Sequence, residues 1–130
     1  MEATEFLTPE ECAEVDKALL TSHDKFATRV AIYALRSLKQ IALQTGIPIE
    51  QLTAAQIEDW VYQDPSLQTG LDQQFKLFFS RLVTSSRQPL QQAAASAEIA
   101  VEALSVAQVI AWFEADARNR IVQQAEQLEN

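Results

Sequence analysis

A stretch that occurs twice constrains this chain more than any other feature. Phe26–Val61 aligns without a gap to Phe78–Phe113, 52 positions later, and 11 of the 36 paired positions are identical: Phe, Arg, Leu, Gln, Ala, Ile, Glu, Leu, Ala, Gln and Trp in that order. Composition alone would match roughly two or three, so the pattern reads as a tandem duplication of one supersecondary unit that stacks on its copy. Any fold for this chain has to build the same local structure twice.

The unit itself is readable. Each copy holds a helical run, a short connection with apolar residues at alternate places (Ile47 and Ile49; Ile99 and Val101), and then Leu-Thr/Ser-x-x-Gln, a capping box. Thr53 and Ser105 are the expected N-caps, their hydroxyls accepting from the backbone N–H three residues on while Gln56 and Gln108 reach back. The following helices then start at Ala54 and Val106. Ile57, Trp60 and Val61, like Val109, Trp112 and Phe113, fall on one helical face, so both indoles are expected to turn inward. One unit is thus a helical hairpin. The expected fold is all-α: a single compact domain, residues 1–130, of two tandem helical-hairpin repeats at about 22–62 and 74–114, with an N-terminal helix at about 9–20 and five to six helices in total. A chain of 130 residues is long enough to bury a core without a disulfide or metal staple.

Capping signals place the remaining elements. Thr8-Pro9-Glu10-Glu11 combines an N-cap, a proline at the first helical position and the glutamate of a capping box. That helix is expected to run to about Leu20 with Cys12, Val15 and Leu19 as its apolar stripe, after a frayed lead-in from Met1 to Leu7. The second helix opens near Ser22 or Asp24 and stops at Gly46, which takes a left-handed conformation at no Cβ cost. Its apolar residues, among them Phe26, Val30, Tyr33, Leu38, Ile41 and Leu43, wrap most of the circumference, as in an element packed on two sides. Gln63 to Gly70 reads as a capped turn or linker between the copies. A helix from Asp72 to about Ser86 is expected to bury Phe75, Phe78, Phe79, Leu82 and Val83, and Pro89 to break or kink it. Glu98 stands opposite Gly46, so the second connection is expected to end differently. The last helix runs from Ser105 to about Leu128, through Ala117, Ile121 and Val122.

Charge and chemistry narrow the function. The formal net charge of −8 opposes nucleic acid and anionic lipid over the surface as a whole, which leaves proteins as the expected partners, with a second copy of the chain also open. One cysteine, no basic-then-apolar leader and no long apolar run point to a cytoplasmic protein with no membrane span. No phosphate-binding glycine loop, HExxH or paired-cysteine spacing is present, Cys12 and His23 lie on different helices, and Glu58 and Asp59 point in different directions. The expectation is a protein that is not an enzyme and needs no cofactor or metal.

Two features name candidate contacts. Lys25, Arg29, Arg36 and Lys39 recur at spacings of four, seven and three, so they line one face of the second helix and gather four of the ten basic residues. They serve either as internal counter-charge to the acidic first helix or as a docking face. Arg29 has the counterpart Arg81, but Arg36 faces Gln88 and Lys39 faces Gln91, so the stripe is special to the first copy. Separately, Ile41-Ala42-Leu43-Gln44-Thr45-Gly46-Ile47-Pro48 resembles the turn of a helix-turn-helix DNA-binding unit, with alanine, a glycine four later and an apolar residue after it. The resemblance covers about twenty residues and implies a recognition helix starting near Pro48. Such a helix would present Glu50, Glu58 and Asp59 without Arg or Lys. The function expected is therefore protein interaction, scaffolding or assembly and regulation, with a nucleic-acid-binding regulator as the alternative.

Overall fold

Among the residues described by the computed structural model, 7–64 and 73–129, the chain forms six α-helices and no strand. They are α1 (Pro9–Lys17), α2 (Ser22–Thr45), α3 (Ala54–Gln63), α4 (Gln73–Ser85), α5 (Arg87–Ala97) and α6 (Val106–Glu129), with short 3-10 turns at Ile49–Gln51 and Val101–Ala103. The expected all-α class holds. The linker reading of Pro65 to Gly70 falls outside the described residues, as do Met1 to Phe6.

Local hydrogen bonding starts the helices where the sequence predicts. Thr8 accepts from the Glu11 N–H at 3.1 Å while Glu11 accepts from the Thr8 N–H at 2.9 Å, with Pro9 at the first helical position. Thr53 and Gln56 form the same reciprocal pair, at 3.2 and 2.9 Å, and so do Ser105 and Gln108, at 3.1 and 2.9 Å. A further cap that the sequence reading did not assign opens α2: Thr21 accepts from the Asp24 N–H and donates its hydroxyl proton to the Asp24 carboxylate. Pro89 acts as expected. It has no N–H to give to Ser85 and would crowd that carbonyl, so α4 ends at Ser85 and α5 begins at Arg87.

Helix α2 is the central element, touching α1, α3, α4, α5 and α6. From Val30 to Leu35 every side chain is buried, a run that only an element covered on several sides can keep dry. Tyr33 meets Phe79 of α4 edge-on, with ring centroids 5.3 Å apart. Val15, Leu38, Ile57, Val83, Leu90 and Val109 complete the core around it. Each such side chain contributes about 1.5–3 kcal/mol by leaving water.

The two 3-10 turns pack on each other and are cross-tied. Lys39 donates to the Leu104 carbonyl at 2.8 Å, Arg87 donates to the Leu52 carbonyl at 3.0 Å, and the Ile49 N–H donates to Glu102 at 3.1 Å. Leu52 and Leu104 are equivalent positions in the aligned stretches, each closing its 3-10 turn. A basic side chain from one stretch thus satisfies the turn carbonyl of the other.

Several expectations are corrected. Helix α1 stops at Lys17 rather than near Leu20, because the Leu19 N–H donates to Glu114 of α6 and Ala18 turns extended; Leu19 is left 83% exposed. Leu7, expected to fray, is buried in the core. Leu43 is exposed, and of the five apolar residues expected inside on α4 only Phe79 and Val83 are buried; Leu82 is half-buried, and Phe75 and Phe78 face outward. The two connections do not end differently: Glu98 adopts the left-handed conformation, φ 58° and ψ 41°, just as Gly46 does at φ 72° and ψ 11°. The Ile99 N–H bonds back to the Ala94 carbonyl at 3.0 Å, and closing that loop holds Glu98 against its own preference.

Candidate functional site

All four members of the basic stripe have partners within the chain. Lys25 donates to the Asp16 backbone carbonyl at 3.0 Å, Arg29 pairs with the Asp16 carboxylate at 2.7 Å, Arg36 pairs with Glu11, and Lys39 is engaged with Leu104 as above. Three of the four therefore clamp α1 onto α2. Of the members special to the first copy, Arg36 finds its partner on α1 and Lys39 finds its own on the second 3-10 turn. Burial pushes the Glu11 carboxyl up, but the Arg36 hydrogen bond, the Thr8 backbone N–H and the Arg36 charge outweigh it and hold the group below the usual carboxylate range. A second clamp ties α6 to the start of α2: Arg120 pairs with Asp24 at 3.0 Å and with Asp116 at 3.2 Å. Asp24 is likewise held low, with Arg120 and Thr21 overcoming its burial.

The tryptophans were expected inside, yet both sit half-buried at the edge of the core. Each forms part of the wall of a surface groove. The first groove, about 480 Å³, lies between the last turns of α2 and helix α3; the second, about 400 Å³, lies between α5 and α6. All eight residues lining the first, shifted by 52 positions, line the second. The chemistry of the two differs. Around Trp60 stand Asp59, Asp64, Gln44 and Gln63; at the corresponding places around Trp112 stand Ala111, Asp116, Ser96 and Ala115. Tyr33 of α2 donates its phenol proton to Asp64, which fixes the end of α3 against the central helix. Burial first, and the Asp64 carboxylate next, push the Tyr33 phenol far above its ordinary value.

An apolar groove of about 480 Å³ lies where α2, α4, α5 and α6 meet, lined in part by Phe26, Phe78, Leu82, Pro89 and Phe113. Phe78 is 57% exposed there and Leu77 is exposed beside it on α4. The five-residue apolar pattern on α4 does not separate its dry residues from its wet ones, because spacing marks a helix face and not how much of that face a neighbour covers.

Among the described residues, the chemistry-bearing side chains do not converge. Cys12 packs half-buried on the core, and His23 is exposed in the first turn of α2. Among the described residues, no group of three or more His, Cys, Asp or Glu side chains is placed to hold a metal ion, and no helix is long and apolar enough to cross a membrane. The helix-turn-helix resemblance does not carry through: Pro48 leads into a 3-10 turn, the next helix begins only at Ala54, and it bears Glu58 and Asp59 without a base.

Comparison with curated proteins and with solved structures finds no match. A family model does match, that of the NDH complex assembly factor CRR9, over residues 7–120. Those residues run from the buried Leu7 through all of α1 to α5 and as far as Arg120 of α6, so the chain belongs to the family of the NDH complex assembly factor CRR9.

Proposed function

We propose that this chain is a non-catalytic assembly protein of the cytoplasm that acts on an NDH complex by binding protein subunits while the complex is being built. The observation that carries this reading is the extent of the family match, which takes in the α1–α2 clamp, the cross-tied 3-10 turns and Arg120, in other words most of the helical body rather than one motif. Surface chemistry supports protein contact. Leu77, Phe78 and the apolar groove beside them offer a non-polar patch of the kind that anchors partners. In this reading Lys25, Arg29, Arg36 and Lys39 serve the fold, because docking a partner on them would first break their bonds to α1 and to Leu104.

Cells lacking the chain test the proposal. Native gels are expected to show less of the full NDH complex and an accumulation of smaller subassemblies, with the tagged chain co-migrating with the latter. Leu77→Glu with Phe78→Glu, both at exposed positions, is expected to fold and yet fail to restore the complex. Normal amounts of full complex in the absence of the chain would refute the assembly role.

A further inference from the structure

We propose that two copies of this chain pair through α6, the end of each helix lying antiparallel along the other and reaching into its Trp112 groove. Helix α3 ends at Gln63, whose counterpart in the second stretch is Ala115, but α6 continues to Glu129. Ala117 is buried and Arg120 is tied to Asp24, so the start of this extension is anchored on the body. Every residue from Arg118 to Gln127 is nevertheless exposed, Ile121 at 64% and Val122 at 49%. A short overhang of helix is marginal in water, because helices draw most of their stability from a packed apolar face. This copy does not supply that packing.

The charges on the overhang point to a second copy as the occupant. Ala111, Ala115, Arg118, Val122 and Glu126 follow one another at spacings of four, three, four and four, so they share one side of α6. Arg118 and Glu126 stand symmetrically about Val122 with opposite charge, and neither takes part in an ion pair or hydrogen bond among the described residues. In an antiparallel pair related by a twofold axis at Val122, Arg118 of each copy meets Glu126 of the other. Parallel pairing would set Arg118 against Arg118, and an unrelated protein has no need of a charge pattern that is symmetric about one residue. The same side of α6 leads into the Trp112 groove, lined by Ala111, Ala115 and Asn119 of α6 and by Ala93 and Ala97 of α5. Small side chains there let a second helix come close. The end of the second copy's α6, running toward the start of this one, lies along that groove. The Trp60 groove has no overhang beside it, and Asp59 and Gln63 stand where Ala111 and Ala115 stand in the other.

Sedimentation of the intact chain over a concentration series tests the pairing. The parent is expected to form a dimer, and Val122→Glu, at an exposed position, to sediment as a monomer while the amide protection of α2 is retained. Arg118→Glu sets like charges together at both ends of the contact and should weaken dimerisation about tenfold, as should Glu126→Arg. The double variant has the parent's net charge and restores both pairs, so it should dimerise as the parent does. A parent that stays monomeric up to millimolar concentration, a dimer indifferent to all three substitutions, or a double variant no better than the single ones would overturn the proposal. Leu77→Glu with Phe78→Glu should leave the dimer in place, and its loss there would move the interface to α4 and equally overturn the proposal. Native gels of the NDH complex read the assembly role separately, since the pairing rests on α6 alone.

Discussion

Exchanging the residues at the two equivalent helix ends gives a prediction whose sign differs between the sites. Gly46 and Glu98 both close a helix in the left-handed region, at φ 72° and φ 58°. For an L-residue this conformation costs about 1–2 kcal/mol relative to the right-handed one. Against that, replacing glycine removes about 0.4–1 kcal/mol of unfolded-chain entropy and so favours folding. A Cβ at Gly46 meets nothing within 4 Å, so these backbone effects stand alone. Gly46→Ala should therefore destabilise by about 0.8 kcal/mol, the difference between the middle values of the two contributions. At Glu98 both contributions reverse, the side chain being exposed, and Glu98→Gly should stabilise by a similar amount. Urea unfolding followed by far-UV circular dichroism separates the two, and the double variant should return close to the parent midpoint. An unchanged midpoint for Gly46→Ala, or a lowered one for Glu98→Gly, would refute the reasoning.

Thr53→Ala and Ser105→Ala should each cost about 1 kcal/mol, since each removes the acceptor of a helix N-terminus; urea midpoints that do not move for either would contradict the capping role. Arg29→Glu with Arg36→Glu should release α1 first, seen as faster amide exchange from Cys12 to Lys17 while α2 stays protected, and unchanged protection of α1 would count against the clamp. Because Glu11 and Asp24 are held below their ordinary values, the stability they add is present at neutral pH and is lost as pH falls below about 4. Arg36→Gln should flatten that acid limb in a pH series of thermal melts. Tyr33→Phe should cost about 1–2 kcal/mol by removing a half-buried hydrogen bond. The phenol's raised value means that folding opposes its ionisation, so the parent should lose stability as pH rises above about 10, and the variant should lose less.

The candidate surfaces divide sharply by how far apart in sequence their parts lie. Asp59, Trp60 and Gln63 occupy one short helix, and their common neighbourhood follows from helical spacing. That they border a groove rather than the core depends on Ile41, Gln44 and Thr45 of α2 lying alongside. The stripe of four bases was visible as a periodicity, but its partners were not. Asp16 and Glu11 lie on a helix whose packing angle no local pattern specifies, and the Leu104 carbonyl is 65 positions from Lys39. On α4, Phe78 and Phe79 are adjacent in sequence, and only the placement of α2 makes one of them wet and the other dry.

By itself the sequence determined the helical class, the capping-box starts of α1, α3 and α6, and the break ahead of Pro89. Those features rest on hydrogen bonds and clashes between residues three or four apart, and such interactions form wherever the segment lies. Tertiary structure decided where α1 stops, through the bond from the Leu19 N–H to Glu114, 95 positions away. It also held Glu98 in a conformation its own preference disfavours and left both tryptophans at the edge of the core. An apolar stripe states which side of a helix avoids water but not how wide the neighbour's cover is, and that width is set by how the helices cross.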